Sequence, residues 1–345
     1  MSTTALRRPA APRRRARGPL PYRLDVHVPT GAGDAALAED VRRGLTSSPK
    51  WLLPKYLYDE RGCELFEQIT ELPEYYQTRT ELQILRRACA GICERHEPTE
   101  LVELGSGSSR KTAAILDAMS GCGSLRRYLP FDISPTALLD AAGRLSEAYP
   151  GMRVHAVAGD FERHLDRIPR RPARARRLVA FLGGTIGNLH PTERAPFLGS
   201  LGRLLGPDDR LVIGTDLAGD PARLEPAYDD AAGVTAAFNL NLLAMLNREL
   251  DADFALDRFQ HVASYDPQMA WIDLRLRSLA DQRVRIGALG LTARFAEGEE
   301  MRTELSCKFT RESVAGMYAD AGLELLEWHT DDLGRFAVSV AAPAV

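Results

Sequence analysis

The chain has 345 residues, 45% of them hydrophobic and 26% charged, with a formal net charge of −3. That is the make-up of a soluble globular protein of one large domain or two ordinary ones. The balance argues against a general nucleic-acid binder, and no apolar run approaches the ~20 residues that span a membrane.

The first eighteen residues stand apart, with Arg7, Arg8, Arg13, Arg14, Arg15 and Arg17 set among Pro and Ala. No apolar segment follows, so residues 1–18 read as a disordered, solvated tail rather than a secretory signal. Cys63, Cys89, Cys93, Cys122 and Cys307 form no C-x-x-C pair, and the histidines are scattered. No metal site is expected, and the odd number of thiols suits a reducing, cytoplasmic setting.

Residues 101–104 form an apolar strand that ends in Gly105-Ser106-Gly107, and a helical pattern begins by Thr112. This is the strand–turn–helix opening of a nucleotide-type α/β fold, in which glycine lets the backbone approach a ligand. The dinucleotide fingerprint and the P-loop both require a small residue or glycine where Arg110 stands, ahead of Lys111 and Thr112. S-adenosylmethionine (SAM) carries no phosphate and needs only close backbone approach, so the loop favours it. A connector with no ligand is the plainer alternative, and a nicotinamide site the weaker one.

Further strands are expected at Arg127–Asp132, at Arg153–Ala158 before Gly159-Asp160-Phe161, at 177–182 and at 210–217. Ser134-Pro135 caps one helix and Pro191 opens another. Such alternation predicts a parallel sheet covered by helices, with ligands beyond the carboxyl ends of its strands. Residues from about 219 to 264 contain a long helical pattern, with Phe238, Leu242, Met245, Leu246 and Leu250 as a core-facing stripe. Strand-like runs at 271–276, 284–286, 291–295 and 303–309 predict an inserted antiparallel unit. A helix from Thr310 to Ala321, closed by Gly322, and strands at 323–328 and 335–341 resume the α/β pattern.

The whole reads as a Rossmann-like, seven-stranded α/β sheet with an antiparallel last strand, typical of class I SAM-dependent methyltransferases, plus a second, mixed α+β domain. Residues 80–217 and 307–345 form the SAM-binding domain, and 19–79 with 218–306 the substrate-binding one. In the first, Gly105, Ser106 and Gly107 give the cofactor backbone room, and Asp132 can accept both ribose hydroxyls. Asp160 and Phe161 suit the adenine amino group and ring face, and Lys111 can pair with the cofactor carboxylate.

Several longer motifs carry a resemblance. They are residues 55–66 (KYLYDERGCELF), 72–76 (LPEYY), 183–189 (GGTIGNL), 227–231 (AYDDA), 238–241 (FNLN), 247–250 (NREL) and 303–308 (TELSCK). In that order they resemble the histidine-specific SAM-dependent Nα-methyltransferases of ergothioneine biosynthesis, from about Tyr22 to the C-terminus. The resemblance implies transfer of three methyl groups to the α-amino group of L-histidine, giving hercynine and S-adenosylhomocysteine. It also implies that Asn188 and Tyr228 hold the substrate carboxylate, Tyr58 sits by the amine, and Tyr75 lines the pocket. Gly183 would supply a backbone contact, and Glu304 with Ser306 would bond the imidazole; Tyr58, Asn188 and Tyr228 are the catalytic candidates.

These residue types suit the chemistry. Neutral Asn and Tyr donors fix a carboxylate without adding positive charge beside a sulfonium. Glu304 accepts from a ring N–H, and Ser306 serves the other nitrogen as donor or acceptor. One departure from the family is Trp271-Ile272-Asp273-Leu274, where Arg-Ile-Glu-Met is usual; Leu274 replaces a pocket Met of similar volume. It keeps another aromatic amino acid, such as tryptophan or tyrosine, open as the substrate. A SAM-binding scaffold without turnover is the reading from a different class. The expected partner is a small molecule, L-histidine, with no nucleic acid or membrane, acting on a monomer. No strong base stands out for the α-ammonium proton.

Overall fold

A computed structural model describes residues 22–28, 35–107 and 110–344; the Arg-rich tail lies outside them. The chain begins with β1 (Tyr22–Val26), α1 (Ala35–Thr46), α2 (Glu60–Glu71) and the long α3 (Gln77–His96). The α/β alternation follows as β2 (Glu100–Leu104), α4 (Arg110–Gly121), β3 (Arg127–Asp132), α5 (Pro135–Ala148) and β4 (Arg153–Ala158). It continues through β5 (Arg177–Phe181), α6 (Pro191–Gly202) and β6 (Arg210–Asp216). Next come α7 (Pro221–Leu224), α8 (Val234–Leu250), β7 (Phe259–Asp266), β8 (Trp271–Ser278), β9 (Gln282–Ile286), β10 (Leu291–Phe295) and β11 (Glu300–Cys307). The chain closes with α9 (Arg311–Asp320), β12 (Leu323–Thr330) and β13 (Phe336–Pro343).

The large sheet runs β1-β4-β3-β2-β5-β6-β13-β12. Its strands from β1 to β6 are parallel, and β13 is antiparallel to both β6 and β12. Seven of these strands are the expected Rossmann-like set. The eighth, β1, pairs with β4 from Tyr22↔Val154 to Val26↔Ala158, so this segment joins the sheet and not the antiparallel unit. It covers what would otherwise be an open sheet edge, and Leu24 packs on Leu138, Ala156 and Ala158. Central β2 and β5 are buried at every position, and the charges among them are paired or hydrogen-bonded: Arg177 donates to Glu100 at 2.6 Å, and Glu103 accepts from Thr112 and Tyr128 at 2.6 Å each. The sequence caps hold as well. Ser134 Oγ accepts from the Ala137 N–H, and Thr310 closes a capping box with Ser313.

The long helical pattern is α8, which ends at Leu250, and the rest of the segment to residue 264 includes a strand that the sequence did not announce. Asp251 takes the left-handed conformation there (φ 49°), and Phe259–Asp266 is a strand fully paired with β8. The inserted antiparallel unit is therefore two sheets, β11-β8-β7 and β10-β9. The α8 stripe does face a core: Phe238, Leu242, Met245, Leu246 and Leu250 pack with Leu57, Leu65, Ile69 and Met301. This second core, separate from those on the large sheet, seats α1, α2 and the 54–57 turn beside α8.

Candidate active site

Three neighbouring strand ends, those of β2, β3 and β4, build one half of the site. At the first, Gly105 (φ 70°) and Gly107 (φ 44°) turn the chain, and a Cβ added at either meets nothing within 4 Å. The result is an open cradle of backbone. Asp132 ties it to β3, accepting from the Gly107 N–H at 3.1 Å and the Ser134 N–H at 3.0 Å. Burial raises the Asp132 pKa, and the backbone donors work against that rise. Ser106 is buried between the two glycines. At the end of β4, Asp160 accepts from the Glu162 N–H at 2.9 Å and meets Lys55 Nζ at 3.2 Å, which lies equally near Asp40. Phe161 stands edge-to-face with Phe181 and Phe197, at 5.5 and 5.6 Å. A cradle without Cβ atoms beside a carboxylate at the next strand end is what a ribose-bearing sulfonium cofactor requires.

Lys111 has an acidic partner within the protein. Its ammonium lies 2.7 Å from Glu81 on α3, a fully buried residue that the sequence did not single out. Glu81 also accepts the backbone N–H of Gly183, 2.9 Å from each of its oxygens. The cofactor-loop helix and the 183–189 loop thus share one carboxylate.

The other half of the site grows from β11. Its pairing shifts between Arg302 and Glu304, and from there the pleat alternates. Leu305, Cys307 and Phe309 enter the main core, so Glu304, Ser306 and Lys308 face the opposite way. Glu304 pairs across to Leu274 and Ser306 to Ile272, which places those apolar side chains beside the polar pair. Leu274 is buried with Tyr76, Leu224, Tyr228 and Ile272. The 185–188 turn lies on the end of β11: a Cβ at Gly187 would stand 2.8 Å from the Cys307 carbonyl oxygen. Only glycine allows that approach, which brings Asn188 to this end of the strand. The Asn188 amide makes no hydrogen bond among the described residues.

Aromatic side chains wall the pocket. Tyr58 meets Phe66 and Phe238 edge-to-face at 5.5 Å each, and Tyr75 lies 6.5 Å from Tyr228. Burial holds the hydroxyls of Tyr58, Tyr75 and Tyr228 well above the ordinary phenol range, so all three stay protonated. The charge of Glu304 acts on each of them. Glu304 itself is pushed up to about 7 by burial, with Lys308 pulling the other way. Its carboxyl makes no hydrogen bond among the described residues, so it stands ready for a ligand.

Lys308 is the residue that sequence reasoning passed over. Its Nζ lies 2.7 Å from Tyr228 Oη, 2.8 Å from Ser306 Oγ and 2.9 Å from Asp216. The neutral donors Tyr228 and Ser306 thus have a charged neighbour that the sequence did not single out. An ammonium is present, and the Asp216 carboxylate neutralises it. Tyr76 and Gln77 complete the network through Asp216 at 2.7 and 3.3 Å. The signal was in the sequence, since Lys308 follows Ser306 by the same step of two that separates Ser306 from Glu304.

Among the described residues, no group of three or more His, Cys, Asp and Glu side chains is placed to hold a metal. No helix among them is long and apolar enough to cross a membrane.

Comparison with known proteins agrees with this geometry. Residues 37–343 match the family described as histidine-specific methyltransferase, SAM-dependent. The chain is 53% identical over 306 residues to a histidine N-alpha-methyltransferase of Mycolicibacterium smegmatis, covering 89% of this chain and 94% of the relative. A protein of the same name from Mycobacterium tuberculosis is 51% identical over 316 residues, with 92% and 98% covered. Ergothioneine biosynthesis protein 1 of Neurospora crassa is 30% identical over 287 residues, which span 81% of this chain and 32% of that protein. With a class I sheet, a glycine cradle and this match, the chain belongs to the SAM-dependent, histidine-specific methyltransferase family.

Proposed function

We propose that the chain transfers three methyl groups in succession from SAM to the α-amino nitrogen of L-histidine, giving hercynine in ergothioneine biosynthesis. The observation that carries this reading is the pairing of Glu304 and Ser306 on one face of β11, inside a pocket walled by tyrosines. A carboxylate and a hydroxyl one strand-repeat apart match the two nitrogens of an imidazole ring. The names of the relatives from M. smegmatis and M. tuberculosis support the same substrate.

Gly105, Ser106, Gly107, Asp132, Asp160 and Phe161 are the residues that would hold SAM, which when bound supplies an electrophilic methyl on a sulfonium. Lys111, already engaged by Glu81, keeps two N–H donors for a carboxylate. On the substrate side, Asn188 and Tyr228 fix the histidine carboxylate, Glu304 and Ser306 fix the ring, and Gly183 lends its backbone. Tyr58 and Tyr75 close over the amine and exclude water. Methyl transfer needs a free lone pair in line with the sulfonium and little covalent help, so the work of these residues is alignment. Leu274 fills the space of the usual methionine and leaves the ring its room.

All five cysteines are free thiols, which supports a reducing, cytoplasmic setting. The test is release of S-adenosylhomocysteine on incubation with SAM and single amino acids. Histidine should be turned over with the highest kcat/KM. Turnover of tryptophan or tyrosine with histidine untouched would overturn the substrate. Binding of both ligands with no turnover would overturn the activity.

A further inference from the structure

We propose that Lys308, anchored on Asp216, is a positioning residue that turns the hydroxyls of Tyr228 and Ser306 into donors toward the substrate and so selects a ring with an unprotonated nitrogen. This rests on the histidine reading above and adds what enforces it.

The argument begins with donor counting. An ammonium has three N–H groups and no lone pair. Lys308 spends all three, on Asp216 at 2.9 Å, Tyr228 Oη at 2.7 Å and Ser306 Oγ at 2.8 Å. Its side chain is fully buried, so no water competes for these bonds. Each hydroxyl oxygen must then accept from Lys308, and each hydroxyl proton must point away from it. Gln77 Nε2 adds a second donor facing Tyr228 Oη, at 3.5 Å. Its amide is held in that sense by Asp216, because the reverse would set oxygen against carboxylate.

Serine is ordinarily free to donate or accept; Lys308 occupies one of its two lone pairs, and the adjacent ammonium favours donation toward the ligand. In the ligand-free arrangement one hydroxyl proton lies in the 2.7 Å contact between Tyr228 and Ser306. A ligand carrying a carboxylate and a bare ring nitrogen takes both protons; the contact between the two hydroxyls then opens, and each oxygen keeps its bond to Lys308. Charge-assisted bonds to the oxygens also make the hydroxyls stronger donors. Glu304, two residues before Ser306, offers the opposite polarity to the ring N–H. One donor and one acceptor together describe neutral imidazole. A pyrrole or indole, with an N–H and no bare nitrogen, leaves the Ser306 proton unmatched.

Asp216 is what makes a buried lysine tolerable here. It accepts from Tyr76 at 2.7 Å on one oxygen and meets Lys308 and Gln77 on the other, so the buried ammonium has a counter-charge in direct contact.

The test compares kcat/KM for L-histidine with that for 3-(pyrrol-2-yl)alanine and 3-(pyrrol-3-yl)alanine, each of which keeps a ring N–H and puts C–H in place of the bare nitrogen. Wild-type enzyme should prefer histidine by roughly tenfold or more. Ser306→Ala should lose most of that preference, and Lys308→Met should bring it to about threefold or less. SAM affinity by calorimetry should stay within about twofold in both variants, because neither touches the cradle. A uniform fall in kcat/KM for histidine and the pyrroles, with the ratio unchanged, would make Lys308 a packing residue and overturn the proposal. Should Lys308→Met fail to fold because Asp216 is left as an unpaired buried charge, the double variant Lys308→Met with Asp216→Asn removes the pair together, and the same ratio decides: narrowed for the proposal, unchanged against it. Wild-type enzyme that leaves histidine unmethylated overturns the substrate reading and this inference with it. Histidine methylated without discrimination against the pyrroles overturns this inference alone.

Discussion

Glu81 reaches from α3 to the backbone N–H of Gly183, placing both carboxylate oxygens 2.9 Å from it, and takes the Lys111 ammonium at 2.7 Å. The carboxylate passes so close to β6 that a Cβ on Gly214 would lie 1.9 Å from one of its oxygens. A buried acid thereby fixes the spacing between the helix behind the glycine cradle and the loop that carries Asn188. Two halves of an in-line transfer are held in register by one side chain.

Gly214→Ala should push that carboxylate off Gly183 and lower kcat/KM about 10- to 100-fold, since misplacement by about an ångström is enough to do so. The circular dichroism spectrum should not change. Glu81→Ala should also destabilise the fold by roughly 2–3 kcal/mol in urea titration, after allowance for the partial exposure of Lys111. Wild-type kinetics in Gly214→Ala would remove Glu81 from the alignment of the two loops.

Asp132→Ala should weaken SAM binding roughly 10- to 100-fold in calorimetry, because it deletes a charged acceptor at the ribose position and slackens the Gly107 and Ser134 backbone. Histidine binding, measured in the presence of saturating S-adenosylhomocysteine, should change far less. Equal losses for the two ligands would take Asp132 off the cofactor.

Glu304 links function to stability through pH. Burial raises its carboxyl from 4.5 to about 7 in the folded chain. Between those values the folded protein keeps a proton that the unfolded chain has lost, so this group's contribution to stability falls as pH rises from about 4.5 to 7. Glu304→Gln should therefore be more stable than wild type at pH 8, by about 1–3 kcal/mol, and no more stable at pH 4. Denaturant titrations at the two pH values check this. The same variant should lose at least about tenfold in kcat/KM for histidine, since the ring N–H loses its charged acceptor. Unchanged histidine kinetics would contradict the imidazole role.

Much of this site could be read from the chain, and the reasons differ from part to part. The cradle and its acids sit at the ends of largely apolar strands that alternate with helical patterns, so Gly105, Asp132 and Asp160 could be placed by counting strands. Glu304 and Ser306 came from a motif. Lys308 follows at the same alternation and was missed only because the strand's end was not pursued. Glu81 had no local signal at all: it lies near the start of a long helix, and its partner Gly183 is 102 residues away. The strand β7 was hidden for another reason. Its residues, FQHVASYD, show no clean alternation of apolar and polar positions, and the helix break at Asp251 carries neither Gly nor Pro to mark it. Strand β1 is short and pairs only with the distant β4, so its sheet could not be inferred from its own five residues.

The most direct measurement is the mass spectrum of the product formed from SAM and L-histidine over time. Mono-, di- and trimethylated histidine should appear in succession and end at the trimethylated species, with fragmentation placing every methyl on the α-nitrogen. Methyl groups on the imidazole ring, or a reaction that stops after one transfer, would contradict the account.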